Sequence, residues 1–95
     1  MEQFERMAAE DPSPRVRLYL ACAAQRLSPD QRWPLVERLA ARAEDAADPN
    51  LPLMVWYAAE PVVANDPKRA AALIAQTRLP RLREFAARRL AAGEK

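Results

Sequence analysis

The chain contains no histidine, one cysteine and one glycine among its 95 residues. Without histidine it lacks the usual general base, the commonest metal ligand and the closing residue of a Cys-x-x-Cys-His haem attachment site. The lone thiol, Cys22, rules out an internal disulfide, and its place among alanines predicts a buried, inert side chain. Scarce glycine, with few β-branched residues in alternation, argues against hairpins and strands. No apolar run approaches the roughly 18–20 residues of a membrane span, and Met1-Glu2-Gln3-Phe4-Glu5-Arg6 is acidic and amphipathic rather than leader-like. Charge of one sign is also missing overall. The net +2 is too small to imply a polyanion partner, although residues 1–67 carry 7 basic and 11 acidic side chains and residues 68–95 carry 8 and 2.

The chain does have nine prolines, and a pattern repeats behind three of them. Pro14 leads Arg15-Val16-Arg17-Leu18-Tyr19-Leu20-Ala21, Pro52 leads Leu53-Met54-Val55-Trp56-Tyr57-Ala58-Ala59, and Pro80 leads Arg81-Leu82-Arg83-Glu84-Phe85-Ala86-Ala87. Each copy places an apolar residue two positions after the proline, an aromatic five after it and an alanine seven after it. The copies are offset by 38 and 28 residues, enough for two helices each. Such a period marks an all-α superhelix, in which no unit buries its apolar face alone and stacked neighbours build one core.

In chain order, residues 1–10 read as the last turns of a helix with Phe4, Met7 and Ala8 on one side. Ser13 is the N-cap of a helix that starts at Pro14 and runs to about Leu27, its apolar stripe being Val16, Tyr19, Leu20, Ala23 and Leu27 with arginines 15, 17 and 26 alongside. Ser28-Pro29-Asp30-Gln31 has the form of a capping box opening a helix over 29–44. Val36, Leu39, Ala40 and Ala43 line one face of that helix, Glu37, Arg38 and Arg42 the other, and Pro34 is expected to bend or delay its first turn. The carboxylates of Glu44, Asp45 and Asp48 in the following linker lack the spacing and glycine of a calcium loop, so capping is expected there. A third full helix spans about Leu51 to Ala64 with Leu53, Met54, Trp56, Tyr57 and Val62, and Pro61 is expected to kink or shorten it. Asp66-Pro67 caps a fourth through Thr77 with Ala70, Leu73 and Ile74 inward. A fifth runs from Pro80 to near Gly93 on Leu82, Phe85, Ala86 and Leu90. The expected plan is one domain over 1–95: the end of a preceding repeat (1–10), two repeats (11–47 and 48–77) and a half repeat (78–95). A half-unit at each end suggests a fragment of a longer protein.

The string Asp11-Pro12-Ser13-Pro14-Arg15-Val16-Arg17, the alanine-rich helix after it and the Ser28-Pro29-Asp30 start of the next resemble a HEAT repeat of the short bacterial kind. More narrowly, Arg17-Leu18-Tyr19-Leu20-Ala21, Asp30-Gln31-Arg32-Trp33-Pro34, Asp48-Pro49-Asn50-Leu51-Pro52-Leu53-Met54-Val55-Trp56-Tyr57 and Glu60-Pro61 are similar to the HEAT segment of large planctomycete and verrucomicrobial proteins. Those proteins join a propeller-like dehydrogenase-type domain, HEAT repeats and a c-type haem domain. The resemblance implies a segment whose haem and catalytic parts lie elsewhere in an exported parent. It also implies a ladder in which the aspartate before a helix pairs with the arginine after the valine, giving structural roles to Asp11 with Arg17 and to Asp48 with Arg83. The second copy departs from that ladder, with Val55 in the arginine's place.

Three functions are open to such a chain. The first is a scaffold that docks a protein or a neighbouring domain, with Trp33 and Trp56 as its first contact residues and Tyr57 more at home in the core. The second is a nucleic-acid module, with Lys68, Arg69, Arg78, Arg81, Arg83, Arg88 and Arg89 as its only basic patch. The third, an enzyme, is disfavoured. Glu37, Glu44, Glu60 and Glu84 stand singly among arginines, and Cys22 has no histidine to activate it. No cofactor, metal or membrane span is expected within the chain.

Overall fold

A computed structural model of the protein describes residues 2–93, which form helices and turns with no strand among them. The helices are α1 (Glu2–Glu10), α2 (Pro14–Ala24), α3 (Pro29–Ala40), α4 (Leu51–Val63), α5 (Pro67–Gln76) and α6 (Pro80–Gly93), with a 3-10 turn at Ala43–Asp45. The fold class is all-α.

Proline marks the start of every helix after α1, at its first or second residue. There the missing N–H costs nothing and the fixed φ already suits the helix. Ser13 caps α2 by accepting from the Val16 N–H, and Asp66 caps α5 by accepting from the Arg69 N–H at 3.1 Å. Ser28 makes no side-chain cap bond, so the expected capping box does not form. Pro34 and Pro61 sit inside α3 and α4 without ending them. The carbonyls four residues before them belong to Asp30 and Tyr57, both exposed residues, so losing the N–H partner strands no buried residue.

Helices two apart in sequence pack side by side, except α3 and α5. α2, α4 and α6 form one row, with α4 touching both of the others. In the second row α1 lies against α3. α3 is tied to α5 by the Arg69–Glu37 ion pair, and the start of α6 hangs from the end of α3 through Arg78 N–H to Ala40 O at 2.9 Å. The core lies between the rows and is built largely of alanine, leucine and valine. The Trp56 and Phe85 rings, 5.8 Å apart and tilted by 31°, fill the α4–α6 contact.

The buried face of α2 consists of Arg17, Leu20, Ala21 and Ala24, and α4 buries the equivalent Val55, Ala58, Ala59 and Val62. Both sets lie three, six, seven and ten positions after the proline. The inward stripe keeps Leu20 of the expected set but is rotated away from its other members, Val16, Tyr19, Ala23 and Leu27. Val16, Ala23 and Leu27 are half-buried, and the repeated aromatic faces away from the core in both copies: Tyr19 is 66% and Tyr57 47% exposed. In the third copy, Phe85 is half-buried because it leans on Trp56. The expected stripe of α2 misled because it set Arg17 beside the apolar face, whereas Arg17 points inward and is 2% exposed.

The helix starts make a sharp comparison. Asp66→Ala should cost about 1 kcal/mol through loss of its cap bond, whereas Ser28→Ala should change stability by only a few tenths of that. Urea unfolding of the two variants measures the difference.

Candidate functional site

The most concentrated polar chemistry lies where the end of α1, the start of α2 and the Ala43–Asp45 turn meet. Arg17 donates from Nε to Asp45 Oδ2 and from Nη2 to Asp45 Oδ1, both at 2.6 Å, and its Nη1 reaches Asp11 O at 2.8 Å. Asp45 is only 3% exposed. A planar guanidinium meeting a carboxylate with two parallel bonds is the geometry that offsets the desolvation of both charges. Asp45 and the neighbouring carboxylates hold the Arg17 guanidinium's pKa above its ordinary value. The expected partner, Asp11, gives Arg17 its backbone carbonyl, while its carboxylate accepts the Ser13 N–H.

Arg42 completes this knot and is not on an outward face. Its Nη1 donates to Ala8 O at 2.8 Å and its Nη2 to Asp11 O at 2.9 Å, while Nε and Nη2 also hold Glu44. The Arg42 bond pulls the Glu44 carboxyl down from 4.5 to about 2. Asp48 accepts the N–H groups of Leu51 and Asn50 at the start of α4, and these bonds lower its pKa. The linker carboxylates are thus committed to pairing and capping, and no group of three His, Cys, Asp or Glu able to hold a metal occurs among the described residues. No described helix is long and apolar enough to cross a membrane.

The basic candidates of α5 and α6 do not form one track. Arg69 pairs with Glu37 through two bonds of 2.9 and 2.8 Å and lies 5.3 Å over the Trp33 ring. Arg83 does not meet Asp48; it turns back to the carbonyls of Ile74 and Thr77 and closes the end of α5. Arg88 pairs with Glu84 one turn earlier on the same helix. Residues two apart on a helix point roughly 160° away from each other, so Arg81 and Arg83 leave α6 on different sides. Lys68, Arg78, Arg81 and Arg89 are exposed.

The two tryptophans expected at a contact surface are buried, Trp33 at 3% and Trp56 at 9%. Trp33 is roofed by Arg69 and Trp56 is packed on Phe85. The outward aromatics are Tyr19 and Tyr57 instead. Cys22, expected in the core, is exposed one turn beyond Tyr19 on the same side of α2, because the inward stripe of that helix is the one running through Arg17 and Leu20. Tyr19, Cys22, Ala23 and Arg26 border an open recess of ≈ 180 Å³.

No family model matches this chain, and neither a curated protein nor a solved structure matches it.

Removing one partner of the buried pair strands the other's charge. Arg17→Met should therefore lower stability by about 3–5 kcal/mol, and the double change Arg17→Met with Asp45→Leu should recover much of that loss, as read from urea midpoints. The linkage of Glu44 gives a pH test. Its pKa is depressed in the folded state, so its contribution is fully present above about 4.5 and is lost as pH falls through about 2. The stability difference between the parent and Glu44→Gln should accordingly be constant near neutral pH and vanish toward pH 2; a difference unchanged across that window would refute the Arg42–Glu44 assignment.

Proposed function

We propose that this chain is a non-catalytic helical-repeat scaffold whose outer α2–α4–α6 face docks another protein or a neighbouring domain. The observation that carries the reading is the outward placement of Tyr19 and Tyr57, which stand at the same repeat position on adjacent helices and are 66% and 47% exposed. Exposed rings of this size on a rigid helical face are the side chains that most often anchor protein contacts. The pairing of helices two apart in sequence, α3 and α5 excepted, supports a solenoid of HEAT type, in which one row offers a continuous surface. By its resemblance to HEAT segments of haem-bearing dehydrogenase-like proteins, the scaffold belongs to a larger polypeptide of that kind. The haem resides in another domain, since this chain has neither histidine nor a second cysteine.

A photoreactive phenylalanine analogue at position 57, in the native cells, tests this. Irradiation should give one discrete adduct, or an intramolecular cross-link if the partner is a neighbouring domain, and haem staining of the same gel should mark a band much heavier than the 10.7 kDa of this chain. No cross-link at position 57 would remove the scaffold reading, and a haem-free band at 10.7 kDa would remove the parent protein.

A further inference from the structure

The outward side of α2 carries more than an exposed ring. Arg15, Tyr19, Cys22 and Arg26 are all exposed and follow one another at intervals of four, three and four residues. That spacing puts Arg15, Tyr19 and Cys22 on one side of α2, and Arg26, in the turn that follows Ala24, borders the same recess as Tyr19 and Cys22. Tyr19 and Cys22 lie between the two cations, beside the ≈ 180 Å³ recess.

The charge balance of the rest of the chain says what suits this stripe. Glu37, Glu44, Asp45 and Glu84 are paired with arginines, Glu5 faces Arg38, and Asp11, Asp48 and Asp66 accept backbone N–H groups. Among the described residues neither Arg15 nor Arg26 has a carboxylate within ion-pairing distance. Arg17, on the opposite side of the same helix, is saturated by Asp45. The stripe is thus a basic–aromatic–basic ridge whose neutralising charge is not supplied from within the described fold.

The geometry points to an occupant of matching form: an acidic amphipathic helix of a partner protein laid along α2. Its carboxylates, eleven residues apart, would meet Arg15 and Arg26, and an apolar side chain between them would enter the recess beside Tyr19. This assignment rests on the scaffold reading and deepens it by giving α2 a partner chemistry. Helix alongside helix is also how α2 already packs with α3 and α4, and complementary charges at the two ends of the stripe set register and partner choice.

The test uses the whole chain and a fluorescein-labelled helical peptide with glutamates eleven residues apart and leucines four and seven after the first. Anisotropy at low salt should show saturable binding. Arg15→Glu and Arg26→Glu should each weaken it by roughly tenfold, Tyr19→Ser should weaken it as well, and a peptide with lysines for glutamates should bind the double Arg15→Glu/Arg26→Glu variant. The neutral pair Arg15→Gln and Arg26→Gln, with circular dichroism of every variant, separates loss of binding from loss of fold. Absence of saturable binding, or affinity indifferent to these arginines, would overturn the assignment. Equal competition by single-stranded DNA would overturn it in favour of a general anion surface. A photo-cross-link from position 57 without one from position 19 leaves the scaffold and refutes the α2 site, whereas silence at both positions removes both.

Discussion

Burial of Arg17 is the constraint on which the first half of this molecule depends. The residue stands at the position that Val55 occupies in the next copy, pointing into the core from α2. A guanidinium there is tolerable only because Asp45 arrives from the turn after α3 and takes two of its donors, while the carbonyl of Asp11 takes a third. One interaction therefore fixes three things: the rotation of α2 about its axis, the path of the chain between α3 and α4, and the angle at which α1 leads into α2. With α2 set by that pair, Leu20, Ala21 and Ala24 face the core, and Tyr19 and Cys22 are left outside.

Closure of helix C-termini by arginine recurs through the fold. The carbonyls at the end of α1 are taken by Arg42 and Arg17, those after α2 by Arg32, and those of α5 by Arg83. The end of α3 is met differently, with Ala40 O accepting the Thr77 hydroxyl and the Arg78 N–H. A chain with a single glycine has little access to the left-handed caps that satisfy these groups elsewhere, and long guanidinium side chains replace them. Much of the arginine content is thus consumed by backbone chemistry, and the basic end of the sequence is less of a polyanion surface than its charge suggests.

The helices and their starts were legible in the sequence because they rest on local chemistry. Proline at the first turn, Ser13 and Asp66 as caps, and the alanine-rich runs between them require no knowledge of the partner element. The inward residues of α5 and α6 were legible too, since their apolar stripes are unbroken by charge; in α3 Val36, Leu39 and Ala40 were, whereas the buried Leu35 was missed and Ala43 lies exposed in the turn beyond the helix. What could not be read was the rotation of α2 and the fate of its arginines. Arg17 and Asp45 are 28 residues apart, and nothing local distinguishes an arginine bound for a buried carboxylate from one bound for water. The same limit moved Trp33 and Trp56 from an expected surface into the interior and brought Tyr19, Tyr57 and Cys22 out of it. The signal for the rotation of α2 and α4 is the coincidence of Leu20, Ala21 and Ala24 with Ala58, Ala59 and Val62 at equal distances from the two prolines.

That coincidence gives the repeat an asymmetry of its own. α2 and α4 share a register closely enough to look interchangeable, but α2 carries a charge that only the turn at Ala43–Asp45 can satisfy, and α4 carries valine in its place. A copy of α2 moved one unit along would bring its guanidinium into an apolar core, and a copy of α4 moved back would orphan Asp45. The two helices therefore cannot exchange places. Alike in the spacing of their buried residues, they are told apart by a single buried ion pair rather than by their length.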